Sequence, residues 1–353
     1  MKISITKTKN PKTKPDEKNL VFGKDFTDHM FVMDYEEEKG WNNPRIVPYG
    51  PLELEPACMV FHYAQETFEG LKAYKTKDGK IQLFRVEDNM KRLNQSNERL
   101  CIPEIDIDLG VEAVKTLVKV DQDWIPQAEG TSLYIRPFII GTDSKIGVKP
   151  SSTYKFIIIL SPVGSYYKEG ISPTKIYVED KYVRAVSGGV GYAKTGGNYA
   201  ASLKAQKEAK ERGYSEVLWL DGQERKYVEE VGTSNAFFIV DGVAYTSPLQ
   251  GSILAGITRN TVITLLKEMG IEVREERFTV DQLFQWHEEG KLDEAFATGT
   301  AAVISPIGQL GWKDKVVVIN HFEIGEISQK IYDTIINIQN GTLEDKYNWI
   351  TQL

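Results

Sequence analysis

Five glycines within ten residues, Gly188, Gly189, Gly191, Gly196 and Gly197, surround a single lysine, Lys194, just ahead of a helical stretch. No other feature constrains the chain as much, because glycine at this density lets a backbone approach another group closely. Three chemistries compete for such a segment. A P-loop needs a glycine where Ala193 stands. A dinucleotide fingerprint needs its third glycine where Lys194 stands. A lysine held for Schiff-base chemistry needs neither, and its glycine neighbours make room for a flat cofactor. Taken alone, the segment fits a solvated lysine in a flexible surface loop about as well.

The rest of the chain narrows the choice. Its 353 residues predict two domains. The net charge, 43 − 50 = −7, argues against nucleic acid or an anionic membrane as partner. Lys2, Lys7, Lys9, Lys12, Lys14 and Lys18 make one basic stretch that reads as a solvated terminus; without arginine it is a poor transit peptide. No signal peptide and no run of transmembrane length is visible. Two cysteines, Cys58 and Cys101, and four scattered histidines give neither a disulfide framework nor a metal site, so a reducing cytoplasm is expected.

Alternation and turn chemistry predict strands at Phe26–Tyr35, Met59–Tyr63, Ser132–Ile140 and Tyr154–Leu160, and a hairpin joining Leu71–Lys75 to Ile81–Phe84. Helical spacing covers Glu87–Leu100 and Leu109–Lys119. Ser161–Pro173, rich in Pro, Gly, Ser and Tyr, suits a connector. Beyond it come a helix over about Asn198–Arg212, strands at Val217–Leu220, Ala236–Val240 and Val243–Thr246, a helix from the cap Thr258 to Met269, and a late helix at Ile327–Ile338. Strands and helices in both halves predict two α+β domains with a cleft between them.

A pyridoxal-phosphate (PLP) enzyme needs a lysine, an acid for the pyridine nitrogen, a phosphate cradle and a donor near the ring hydroxyl. Glu229-Glu230 offers a carboxylate, though a solvated acidic pair is its commoner fate. Gly256-Ile257-Thr258-Arg259 leads into a helix whose start can bind phosphate, or can be a plain capping turn. Ala297–Ala302 offers hydroxyls among small residues, or a packing turn.

Nine segments in one order then carry a resemblance: FTDHM (Phe26–Met30), HYAQETFEGLKAY (His62–Tyr74), NMKR (Asn89–Arg92), LYIRP (Leu133–Pro137), SPVGSYY (Ser161–Tyr167), AKTGGNYAAS (Ala193–Ser202), EEVGTSN (Glu229–Asn235), LAGITR (Leu254–Arg259) and ATGTAA (Ala297–Ala302). Together they resemble the fold-type IV PLP enzymes, and within these the branched-chain amino acid aminotransferases. The resemblance implies a small N-terminal α+β domain (1–164), an interdomain connector (165–175) and a larger C-terminal α+β domain (176–353), with the cofactor in the cleft between them. It implies that Lys194 carries PLP, Glu230 pairs with the pyridine nitrogen and Tyr199 donates to the ring hydroxylate. Arg92, the backbone at Ile257 and Thr258, and Thr300 would bind the phosphate, which suits arginine and a helix start. Thr300 and Ala301, with Tyr134, would meet the substrate α-carboxylate. Phe22, Tyr63, Tyr166 and Thr233 would line the side-chain pocket, and Arg136 would reach the distal carboxylate of glutamate. The implied reaction is ping-pong transfer of an amino group from leucine, isoleucine or valine to 2-oxoglutarate, in a cytoplasmic homodimer. D-Amino-acid aminotransferases, aminodeoxychorismate lyases, a nucleotide hydrolase and a non-catalytic PLP carrier are the rivals. Ala302-Val303-Ile304-Ser305 replaces the redox-sensitive C-x-x-C that some members carry, so thiol regulation is not expected there.

Overall fold

The computed structural model describes residues 1–164 and 171–353. These divide into two compact units. The first contains 1–164, Ala193–Gly196 and Asn337–Leu353; the second contains 171–192 and Gly197–Ile336.

The first unit is built on a nine-stranded sheet, counted over the described residues. Its centre is the long antiparallel pair Ser132–Gly141 and Thr153–Val163, flanked by His29–Glu36 on one side and Leu71–Lys75 on the other. The expected hairpin forms: Leu71–Lys75 pairs with Ile81–Phe84, with Gly79 at φ 83° in the turn. The edge strand Ile81–Phe84 is covered by Ile350–Gln352 from the far end of the chain. Helices Val86–Arg99 and Ile107–Val120 bury Val86, Met90, Leu93, Val114, Leu117 and Val118 against the sheet residues Phe31, Leu83, Leu133 and Ile158. The apolar positions recur at helical spacing, which is why one stripe of each helix enters the core.

Two local expectations fail, one in each unit. Met59–Tyr63 is a short helix, not a strand. Its aromatic composition favours a strand, but Phe61 and His62 are exposed while Met59 is buried, a one-sided pattern that suits a helical turn; Ala64 ends it at φ 48°. Thr258 does not cap its helix: Gly256 is the N-cap and the helix is Ile257–Glu268.

The second unit is a barrel-like sheet. Val228–Val231 pairs with both Glu216–Leu220 and Ser234–Val240. Following the ladder through Thr174–Glu179, Val303–Trp312 and Leu292–Gly299 returns to Ser234–Val240, so six of the described strands close on themselves. Closure removes the exposed edges an open sheet would leave. Val178, Leu218, Phe238, Ala297 and Leu310 form its core with helix Val280–Glu288. Thr279 starts that helix with a full capping box to Gln282. Among the described residues, no helix is long and apolar enough to cross a membrane.

Candidate active site

In the first unit the site grows from one strand and one helix. Tyr134 and Arg136 lie two apart on Ser132–Gly141 and so share a face. Arg136 Nη2 donates to the Tyr134 hydroxyl at 3.0 Å, and its guanidinium carbon lies 4.8 Å from the Phe68 ring centre. Arg136 Nε is buried without a hydrogen-bond partner. The Tyr134 hydroxyl fills the space that a Cβ at Gly70 would need, and Phe22 packs edge-on against the Tyr134 ring at 4.8 Å.

Arg92 lies on helix Val86–Arg99 and forms a two-pronged buried pair with Glu69: Nε to Oε1 and Nη2 to Oε2, each 2.7 Å. Glu69 is 0% exposed, so the pair fixes the arginine firmly in place. One turn along the same helix face, Ser96 Oγ accepts from Lys194 N–H at 2.9 Å. The Lys194 carbonyl accepts from Phe68 N–H at 3.0 Å, and Lys194 Nζ lies 4.9 Å from the Phe68 ring centre. Lys194 is therefore seated by Phe68 and Ser96, the neighbours of Glu69 and Arg92 along strand and helix face. Tyr63, on the short helix, is half-buried.

In the second unit Glu230 lies on Val228–Val231 and is 3% exposed. Its Oε2 pairs with Arg184 Nη2, and its Oε1 accepts from Asn235 Nδ2 at 3.1 Å. Arg184 Nη2 also donates to the Ser252 carbonyl at 2.8 Å, while its Nε is buried with no partner. Strand alternation turns Glu229 to the opposite face. There it accepts from Ser252 Oγ, and burial pushes its carboxyl up against that bond and the positive charge of Arg184. The adjacent acids thus have different surroundings, and only Glu230 joins the Arg184–Asn235 network.

Asn235 Nδ2 donates also to the Leu254 carbonyl at 3.0 Å, just ahead of the turn into helix Ile257–Glu268. Gly256 in that turn has no space for a Cβ, because Asn235 Oδ1 occupies it. Ile257 and Thr258 begin the helix, where backbone amides and the dipole favour an anion. Thr300 and Ala301 form the half-buried turn after Leu292–Gly299, whose Thr298 is in register with Asn235. Tyr199 is half-buried in the first turns of helix Gly196–Glu211, and Thr233 is exposed at the turn beside Glu230. Tyr166 lies outside the described residues.

Within the units, the structure gathers Lys194, Arg92, Tyr134 and Arg136, and separately Glu230, Ile257, Thr258 and Thr300. Sequence reasoning assigned no role to Glu69, Arg184 or Asn235. Glu69 had a signal, a carboxylate between Phe68 and Gly70 in an otherwise apolar strand. Arg184 had none.

The sequence of residues 66–310 matches the model of the class IV amino-transferases. The chain is 59% identical over its full length, and over 97% of the relative, to branched-chain-amino-acid aminotransferase 2 of Bacillus subtilis strain 168. It is 54% identical, with 99% of each chain covered, to branched-chain-amino-acid transaminase 1 of the same organism. Among solved structures it resembles the branched-chain aminotransferase of the thermophilic archaeon Thermoproteus uzoniensis with norvaline, at a TM-score of 0.76, 28% identity, and 92% and 99% coverage of the two chains. It resembles the Escherichia coli enzyme at 0.75, 28% identity, and 92% and 99% coverage. A further bacterial branched-chain amino acid aminotransferase, solved with pyridoxamine 5'-phosphate, matches at 0.76 and 28% identity over 91% and 97% of the two chains. This chain belongs to the class IV aminotransferases, the fold-type IV architecture.

Proposed function

We propose that the chain is a PLP-dependent branched-chain-amino-acid transaminase that passes the amino group of L-leucine, L-isoleucine or L-valine to 2-oxoglutarate, and back, in a ping-pong cycle. The seating of Lys194 carries the reading. Its amide and carbonyl are both tied down while its amine projects beside Phe68.

The donor set fits PLP. Lys194 supplies a primary amine, Glu230 a buried carboxylate for the ring nitrogen, and Tyr199 a phenol for the ring hydroxylate. A phosphate would be held by Arg92, the amides of Ile257 and Thr258, and Thr300; Gly256 leaves the approach to this helix start clear of a side chain, as a phosphate cradle needs. Bound PLP supplies the electron sink that makes the substrate Cα–H bond breakable. Lys194 Nζ then takes the Cα proton and returns it on the acceptor side. The Arg184 guanidinium keeps Glu230 ionised, so the carboxylate can hold a proton on the ring nitrogen. Tyr134, Thr300 and Ala301 orient the α-carboxylate. Phe22, Tyr63, Tyr166 and Thr233 exclude water around the side chain. Arg136 meets the distal carboxylate of glutamate and 2-oxoglutarate.

The same reading takes residues 1–164 and 176–353 as the small and large domains with 165–175 between them, and sets the enzyme to work in the cytoplasm. It also takes the enzyme to be a homodimer. In the single chain Phe61, Ile146 and Val148 are 61%, 74% and 88% exposed, an apolar surface that a second copy would cover. The test is spectral: purified protein loaded with PLP should be yellow, lose that absorbance with leucine, and regain it with 2-oxoglutarate. An absorbance indifferent to both substrates would overturn the assignment.

A further inference from the structure

Glu66 has no role in these assignments, yet it touches the segment that carries Lys194. It opens the strand Glu66–Phe68, which pairs antiparallel with Ser132–Gly141 at Glu66↔Ile140 and Phe68↔Phe138. Directly paired residues share a face, and alternation along the longer strand extends that face to Arg136 and Tyr134. One side of the strand pair thus carries Glu66, Phe68, Arg136 and Tyr134.

Glu66 Oε1 accepts a hydrogen bond from Gly196 N–H. The approach is close enough that a Cβ at Gly196 would collide with the same oxygen. Phe68 N–H on the Lys194 carbonyl and Ser96 Oγ on Lys194 N–H are the other ties described for this short segment, so Glu66 is a third anchor, placed two residues beyond the amine. Burial raises the Glu66 carboxyl, while the Gly196 amide and the positive charge of Arg136 oppose that rise. The carboxylate and the guanidinium therefore feel one another across the shared face.

Resting on Lys194 as cofactor lysine and Arg136 as reader of the distal carboxylate, we propose that Glu66 is a positioning and specificity residue. Its hydrogen bond to Gly196 fixes the Lys194 amine, and its charge weakens the hold of Arg136 on a dicarboxylate.

Two conservative variants separate the roles. Glu66→Gln keeps an acceptor for Gly196 N–H and removes the charge. Glu66→Asp keeps the charge and shortens the arm by a methylene, so the bond is lost. Two quantities are read: the rate at which the Lys194 amine condenses with the aldehyde of PLP added to apoenzyme, water leaving, followed by absorbance; and KM for glutamate and for leucine. Glu66→Asp should slow condensation about tenfold through lost orientation and leave the ratio of the two KM values unchanged. Glu66→Gln should condense within about twofold of the parent and lower KM for glutamate roughly three- to tenfold with leucine unmoved, the effect of one nearby charge. Parent-like condensation by Glu66→Asp, or an unchanged KM ratio in Glu66→Gln, overturns the proposal. So does a parallel fall in melting temperature with both KM values rising alike, which would mark Glu66 as scaffold. Failure of the parent protein itself to condense with PLP would remove the Lys194 reading instead.

Discussion

Arg136 is held by aromatic surfaces, with Phe68 and Tyr134 rings 4.8 and 5.3 Å from its guanidinium carbon. Its buried Nε has no partner, so the residue retains a donor for a ligand. Replacing it by Gln should cost about ten- to a hundredfold in kcat/KM for glutamate, the worth of one charge-assisted hydrogen bond, and much less for leucine. Half-reactions followed separately will decide; matching losses would make Arg136 a scaffold residue. Lys194→Ala should abolish transamination with the melting temperature preserved, and near-parent turnover without added amine would refute it. Glu230→Gln should lower turnover far more than PLP content, but it also strands the Arg184 charge, a loss of about 3–5 kcal/mol for a broken buried pair. Adding Arg184→Met should restore the melting temperature and leave turnover low. Recovery of both would show that Glu230 serves the fold rather than the ring nitrogen. The residues that bear functional groups were legible because their chemistry is typed: a lysine among glycines, an arginine in Y-x-R. Their supports were not, because Glu69 and Arg184 reach Arg92 and Glu230 across the fold, and no local pattern encodes such a contact.

At the scale of elements, the readings that succeeded rest on short-range physics. Ala236–Val240 and Val243–Thr246 form a hairpin because Asp241 and Gly242 adopt φ 48° and 73°, as a tight two-residue turn requires. The failures are places where tertiary contacts outvote local propensity. Thr258 is a good cap by type, but Asn235 fills the space beside Gly256 and draws the helix start two residues earlier. Gly256→Ala would push on Asn235, and through it on Glu230. Titrating apoenzyme with PLP should show at least about a tenfold weaker affinity with the melting temperature nearly unchanged, roughly the loss of one good charge-assisted bond. Unaltered affinity would mean the turn does not hold the phosphate. A different element depends on Asp221, which ends its strand. Burial works against its charge, but N–H groups of Gln223, Glu224, Lys226 and Tyr227 outweigh it and hold the carboxyl below its ordinary value. Its stabilisation is therefore complete above the ordinary carboxylate value of about 3.9 and is lost as pH falls through the lower folded value. Asp221→Asn should cost about 1–3 kcal/mol at neutral pH and flatten the acid limb of a melting-temperature profile. An acid limb identical to the parent's would assign acid sensitivity elsewhere.

Across the whole molecule, the two-domain expectation follows from length and from mixed strands and helices, whereas the path of the chain could not be read in advance. Ala193–Gly196 joins the first unit from within a second-unit stretch, and helix Glu326–Gln339 begins in the second unit and ends in the first. The crossing is stapled at both ends. Glu294 accepts from the Ile327 and Ser328 amides at 2.9 and 3.0 Å, and Gln82 Nε2 donates to the Ile338 and Gln339 carbonyls at 3.0 and 2.7 Å. Removing residues 345–353 uncovers the edge strand Ile81–Phe84. Hydrogen exchange should then lose protection in that strand and keep it in Ser234–Val240. Equal loss in both would mean that the two units unfold as one.

That return of the chain has a consequence for synthesis. A protein leaves the ribosome from its N-terminus, and domains commonly fold in the order in which they emerge. Here the first unit lacks its last strand until the final residues are translated, because Ile350–Gln352 closes the edge that Ile81–Phe84 presents. Through nearly the whole of translation the nascent chain therefore carries an open β-edge, the kind of surface that trigger-factor-like holdases protect and that crowded polysomes pair by mistake.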